Sequence, residues 1–186
     1  MRKMTVFNQV SLDGYIADAH GDMSWAHQDD AEWNEFVAEN TRGESELVFG
    51  RITYELMAGF WPTAAAAASA PVVAQKMNSV SKVVFSRTIQ RPEWNNTTLV
   101  NGDIAAEVAT MKQGPGPDMV IMGSGSIIAQ LTDVGLIDEY QIVVNPIVLG
   151  GGKSMFDGVS AKVSLALADE RAFTNGNVML SYLPRR

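Results

Sequence analysis

The run Met119-Val120-Ile121-Met122-Gly123-Ser124-Gly125-Ser126-Ile127-Ile128 leaves this chain few ways to fold. Four successive apolar residues with no polar alternation read as a strand buried on both faces, as in a parallel sheet. Ile127, Ile128 and Leu131 then share one face of a helix that ends near Gly135, and the small residues between form a tight turn. Strand, glycine turn and helix in that order are the building unit of an α/β sheet.

The rest of the chain extends the pattern. Met4 to Val10 reads as a strand, Ser11-Leu12-Asp13-Gly14 as a turn and Tyr15-Ile16-Ala17 as an apolar segment after it. Trp33, Phe36 and Val37 predict a helix from Asp29 or Asp30 to near Gly43, with carboxylates in its first turn. Leu47 to Phe49 is a short strand, and Tyr54, Met57, Ala58 and Trp61 repeat at helical spacing up to Pro62. Further helices are expected around Val72 to Met77 and Ile104 to Met111, and strands at Lys82 to Phe85, Thr97 to Val100, Tyr140 to Val144 and Val163 to Ala168. Val178 to Leu183 is a last strand, hairpin-paired across Asn175-Gly176. The alanine run Ala64 to Ala68 fits either a helix or a connection. Together these predict one domain over residues 1–186: a three-layer αβα sheet, mostly parallel, with an antiparallel C-terminal edge.

Composition removes several functions. With 14 Lys and Arg against 21 Asp and Glu, the net charge is −7, which argues against a nucleic-acid surface. The absence of cysteine excludes thiolate nucleophiles and cysteine-ligated metals, and His20 and His27 are too few for a histidine-built metal site. No stretch approaches ~18 uninterrupted apolar residues, so no membrane span is expected, and a cytoplasmic setting fits.

Ligands of open α/β sheets collect at the carboxyl ends of strands, where helix N-termini offer backbone donors. Three such ends suit an anion. Gly50-Arg51-Ile52-Thr53 joins a glycine, a permanent cation and a hydroxyl; Ser86-Arg87 repeats hydroxyl and guanidinium; Gly123-Ser124-Gly125-Ser126 supplies backbone N–H groups. Each alone also reads as an ordinary turn or a solvated arginine, whereas together they suit the several phosphates of a dinucleotide. The Rossmann fingerprint fails at Ile128, no Gly-Lys-Ser/Thr completes a P-loop, and no histidine lies downstream for a serine triad.

Five motifs in order, Ser11-Leu12-Asp13-Gly14-Tyr15-Ile16-Ala17, Phe49-Gly50-Arg51-Ile52-Thr53-Tyr54-Glu55, Phe85-Ser86-Arg87, Met122-Gly123-Ser124-Gly125-Ser126 and Pro146-Ile147-Val148-Leu149-Gly150-Gly151-Gly152, resemble the dihydrofolate reductase-like family. More narrowly, they resemble its branch containing the reductase domain of bifunctional riboflavin-biosynthesis deaminase-reductases. The resemblance implies NADPH as cofactor, with Gly50, Arg51 and Thr53 toward its phosphates and Ser86 and Arg87 at the 2′-phosphate. It places Gly123, Ser124, Gly125, Ser126 and Ile127 at the pyrophosphate, and backbone near Gln9, Ile16 and Ala17 at the nicotinamide carboxamide. A 2′-phosphate favours arginine and serine donors and is repelled by a carboxylate.

On the substrate side the resemblance offers Asp30, with Asp29 as a rival, as a ring-holding and protonating acid; capping a helix N-terminus is the alternative. Asp13 reads either as an acid beside the nicotinamide or as a turn residue before Gly14. Trp25 and Tyr54 stack on a planar substrate or belong to the core, as do Trp33 and Trp61, and Gly151 permits ligand approach or merely turns the chain. The implied activity is hydride transfer to a small heterocyclic or sugar-derived substrate, similar to 5-amino-6-(5-phosphoribosylamino)uracil reduction, with Asp30, Asp13 or water supplying a proton. Dihydrofolate reduction, a catalytically silent NADPH-binding module and an interaction domain without nucleotide affinity are the alternatives. The cysteine-free chain cannot hold the deaminase zinc site. A homodimer, formed through the late strands, is also implied.

Overall fold

A buried strand and the helix that follows it account for most of the molecule. The computed structural model describes residues 1–27, 30–40 and 43–185. Its strands are β1 Met4–Ser11, β2 Tyr15–Ala17, β3 Ser45–Gly50, β4 Lys82–Phe85, β5 Thr97–Val100, β6 Asp118–Ile121, β7 Glu139–Asn145, β8 Lys153–Ser154, β9 Leu165–Ala172 and β10 Val178–Pro184. Its helices are α1 Ala31–Asn40, α2 Arg51–Phe60, α3 Ala64–Ser69, α4 Pro71–Ser79, α5 Ile104–Gln113 and α6 Gly125–Asp133. The sheet has the order β5-β4-β3-β6-β1-β7-β10-β9; all its pairs are parallel except those of β10 with β7 and β9. This is the expected mostly parallel sheet with an antiparallel C-terminal edge.

Two details differ from the sequence expectation or complete it. The alanine run is helical because Thr63 caps it, its side chain accepting the Ala66 N–H, and alanine costs least in a helix. Strand β9 starts at Leu165 and runs on through Asp169, Glu170 and Arg171 to Ala172. On an edge strand with both faces exposed, no apolar alternation marks the end.

The two faces of the sheet are covered differently. On one face, Met4, Val6 and Val10 of β1 join Met119 and Ile121 of β6 and Val108, Ile127, Ile128 and Leu131 of α5 and α6 in one continuous core. On the other face the core is split in two. Leu47, Phe49, Tyr54, Met77, Val84 and Trp94 form a cluster beneath α2 and α4. Trp33, Phe36, Val143, Phe173 and Met179 form a second beneath α1. Thr5, Val120 and Leu47 are in register across β1, β6 and β3, so the two clusters share a face. Between them, at the end of β1, stand Gln9 and Ser11.

One buried lysine belongs to the first of these clusters. Lys82 is fully buried at the start of β4, and its Nζ donates to the carbonyls of Val80 at 2.8 Å and Asn95 at 3.0 Å and lies 4.6 Å from the Trp94 ring centre. These partners are neutral, and burial pushes its pKa down to about 8.

Candidate active site

Parallel strands that end together put the helices after them side by side. A cleft of about 470 Å³ opens at the carboxyl ends of β3, β4, β5 and β6, lined among others by Arg51, Ser86, Arg87, Asp103, Ser124 and Ser126. It brings together the three anion-suited strand ends read from the sequence. Helices α2 and α6 start here with Gly50 and Ser124 at their N-caps, and neither helix has a side chain capping it. Their first N–H groups and the positive ends of their dipoles are thus available to an anion. Glycine is required for this closeness. A Cβ on Gly50 would stand 2.4 Å from Ser124 Oγ, and one on Gly123, at φ +114°, 2.8 Å from Thr53 Oγ1. The Gly50 N–H donates to the Gly123 carbonyl at 3.0 Å, pinning the two turns together.

The charged groups of the cleft are unequal. Arg51 is half-exposed and already paired with Glu55 at 2.9 Å. Arg87 is exposed and makes no ion pair among the described residues. The Ser86 hydroxyl accepts the N–H groups of Thr88 at 3.1 Å and Ile89 at 3.0 Å and shares a hydrogen bond with Thr88 Oγ1 at 3.3 Å, so it holds the loop. Sequence reasoning missed Asn101, Gly102 and Asp103, which line the cleft at the end of β5. Asp103 caps α5, accepting the Ala106 N–H at 2.9 Å. Its position directly before the apolar face that begins at Ile104 is an N-cap signature.

A second set of loops closes over the ends of β1 and β7. Strand β2 pairs with β8, with Tyr15 opposite Ser154 and Ala17 opposite Lys153. Ile16 packs against the continuous core, and Ala17 is buried. Asp13 binds the two loops together. Its carboxylate accepts the Ser11 hydroxyl at 2.7 Å and the N–H groups of Leu149 at 3.1 Å and Gly150 at 2.7 Å. The Ser11 hydrogen bond, with smaller contributions from Leu149 and Gly150, outweighs desolvation and holds its carboxyl below the ordinary value. Gly151 faces open space, so it is its neighbour Gly152, at φ +149°, that glycine chemistry requires. On the α6 side, a Cβ on Gly125 would stand 3.0 Å from the Met155 carbonyl oxygen, which brings this loop against the helix N-terminus.

The substrate-side residues are dispersed. Asp30 caps α1, accepting the Trp33 N–H at 2.8 Å, and its other oxygen accepts the Thr174 hydroxyl at 3.3 Å. Asp29, its rival in the sequence, lies outside the described residues. Trp25 sits in a single helical turn at Ser24–Ala26, its Nε1 donating to the Asp22 carbonyl at 3.1 Å. Tyr54 is a correction: it is buried against Phe49 and Trp94, and its hydroxyl accepts the Trp94 N–H at 3.0 Å. The inner face of α2 turns it into the core, where it cannot stack on a ligand. Trp33 likewise packs on Phe36 and Phe173. Among the described residues no cluster suits a metal ion, and no helix is long and apolar enough to cross a membrane.

A family model described as the RibD C-terminal domain matches residues 2–179. The uncharacterized protein YyaP of Bacillus subtilis is 29% identical over 182 residues, covering 97% of this chain and 94% of its own. A Shewanella sp. PV-4 protein provisionally assigned to riboflavin biosynthesis superposes with a TM-score of 0.80 at 24% identity, over 99% of each chain. Dihydrofolate reductase from Enterococcus faecalis, in complex with NADP(H), superposes with a TM-score of 0.62 at 14% identity, over 99% of this chain and 97% of its own. At these identities the two structures establish the fold, which is dihydrofolate reductase-like.

Proposed function

The chain belongs to the RibD C-terminal domain family, and on that premise we propose that it is an NADPH-dependent reductase acting on a small heterocyclic or sugar-derived substrate. The observation that carries this reading is the meeting of two uncapped helix N-termini, α2 and α6, at one cleft. Backbone donors there suit a pyrophosphate, and the close approach of Gly50 to Ser124 holds the two helix starts side by side. Arg87, unpaired and exposed at the end of β4, suits a 2′-phosphate. When bound, NADPH supplies the hydride.

The chain's own residues do the rest. Backbone near Gln9, Ile16 and Ala17 orients the reduced ring, and the β2–β8 pair covers it from water. Asp13 is a positioning residue: ionised well into the acid range, it holds the Leu149–Gly150 loop rather than releasing a proton. Asp30, fixed between the cap of α1 and Thr174, is the carboxylate assigned to hold the substrate ring. The exposed edge of β9, with Leu167 half-exposed, is the surface on which two copies pair.

The test is a fluorescence titration with NADPH and NADH, using tryptophans as energy donors to the reduced ring. Tighter binding of NADPH than NADH, with the difference lost in Arg87→Ala, supports the reading. Absence of binding by either cofactor overturns it. Binding without oxidation by any pterin or pyrimidine tried would favour the silent module.

A further inference from the structure

Carboxamides are costly to bury without partners, because both the N–H₂ and the C=O lose water. At the ends of β1 and β7 the chain does this repeatedly. Asn145, the last residue of β7, is fully buried; its Nδ2 donates weakly to Gln9 Oε1 at 3.3 Å and to the Val10 and Val143 carbonyls at 3.3 and 3.4 Å, while its Oδ1 has no hydrogen-bond partner among the described residues. Asn177 is also fully buried, and neither its Nδ2 nor its Oδ1 has a partner among the described residues. A further unpartnered atom, Asn175 Nδ2, lies in the turn before it.

Register puts these groups side by side. Val178 faces Val144 across the β7–β10 pair, so the next residues outward, Asn177 and Asn145, stand opposite each other. Asn145 shares a face with Val143, and Asn177 with Met179, both members of the cluster beneath α1. Gln9 shares that face through Phe7. A Cβ on Gly176 would lie 3.2 Å from Pro146 Cγ, so the hairpin turn is packed on the residue after Asn145. The row therefore runs from Gln9, in the seam that splits the core on this face, along the end of the cluster beneath α1 to Asn145 and Asn177, beside the loops that close over the site. These side chains are uncharged.

We propose that Asn145 and Asn177 form a binding site for an uncharged amide edge, with Asn177 supplying a donor and an acceptor side by side to a ligand N–H and C=O held cis. The inference rests on the reductase reading for its ligands. Either a lactam of the substrate or the carboxamide of the nicotinamide has this chemistry. Fully desolvated, the pair discriminates strongly, since a ligand lacking the N–H leaves the Asn177 acceptor unsatisfied.

Ligand-observed NMR with 2-pyridone and N-methyl-2-pyridone on the NADPH-loaded protein tests the first source. Titration with NADPH and its 3-acetylpyridine analogue, which lacks the amide nitrogen, tests the second. Each is run on wild type, Asn177→Leu and Asn177→Ser. A substrate site is indicated when 2-pyridone binds at least tenfold better than its N-methyl form and the preference vanishes in Asn177→Leu. A cofactor site is indicated when Asn177→Leu weakens NADPH at least tenfold and leaves the analogue unchanged. Either result supports the proposal, and no change in either titration overturns it. Because the amide has no partner to lose, ligand-free Asn177→Leu melts no lower than wild type; lower melting of both variants would show a structural amide and overturn the proposal. If wild type binds no cofactor, the reductase reading fails, and the 2-pyridone titration on the free protein then decides the amide site separately.

Discussion

Gly152 and Ala17 approach so closely that a Cβ on Gly152 would stand 2.1 Å from the Ala17 carbonyl oxygen. Backbone on backbone cannot yield as a flexible side chain can. Gly152→Ala is expected to separate β2 from β8 and to destabilise the fold by roughly 2 kcal/mol or more, whereas Gly151→Ala, with open space around it, is neutral. Thermal melts of the two variants side by side check this, and equal melting would remove the close approach as the reason for the glycine.

Asp13→Asn keeps the shape of the side chain but turns one acceptor oxygen into a donor facing an N–H. The Leu149–Gly150 loop is expected to exchange its amide protons faster, while cofactor binding at the α2–α6 cleft stays within about twofold. The wild-type contact also has a defined pH range. Its folded pKa lies below the ordinary 3.8, so the stabilisation is complete above that value and lost only as pH falls through the lower, folded one. Hydrogen exchange at Gly150 from pH 5 downward reads this directly.

Asp103 places a carboxylate in the cleft that Arg87 shares. Asp103→Ser keeps a capping oxygen for the Ala106 N–H and removes the charge. NADPH affinity is expected to rise roughly threefold to tenfold at low salt, with little change for NADH, as a charge–charge effect of about 1 kcal/mol implies. An equal gain for both cofactors would place the 2′-phosphate elsewhere.

Tyr54→Phe leaves the buried Trp94 N–H without its acceptor. A loss of about 1–2 kcal/mol in denaturant unfolding is expected, with cofactor binding unchanged. Weakened binding would return Tyr54 to the ligand site.

Lys82 ties stability to alkaline pH. Its pKa is about 8 when folded against 10.5 as a free side chain, so between these values the unfolded chain binds more protons and stability rises with pH. Wild type is expected to gain on Lys82→Met from pH 8 to 9.5 in parallel urea titrations. A constant difference would mean that the ammonium keeps its proton in the core.

Much of the frame was legible in the sequence because buried parallel strands are written as unbroken apolar runs, such as Met119 to Met122. The cleft at the strand ends was legible for a related reason: Gly50, Arg51, Ser86, Arg87 and Gly123 to Ser126 each follow directly on such a run, and parallel strands bring their ends together. Side-chain direction was less legible. Tyr54 lies at helical spacing with Met57 and Trp61 whether the ring meets a ligand or Trp94. Asn145 and Asn177 are 32 residues apart in the chain, and only the β7–β10 register makes them neighbours. Asp13 and Asp30 stood out in the sequence, but their hydrogen bonds to Leu149, Gly150 and Thr174 depend on loops that no local pattern specifies.

The divided core on one face separates two kinds of evolutionary freedom. The half beneath α2 and α4 carries the turns that meet at the cleft, and these are interlocked through Gly50, Ser124, Gly123 and Thr53. The half beneath α1 ends in the hairpin of β9 and β10, whose turn meets Asp30 and Glu32 through Thr174 and Pro146 through Gly176. On the proposed reading, exchanging the hairpin tip therefore alters the amide edge at Asn177 without loosening the turns that meet at the α2–α6 cleft.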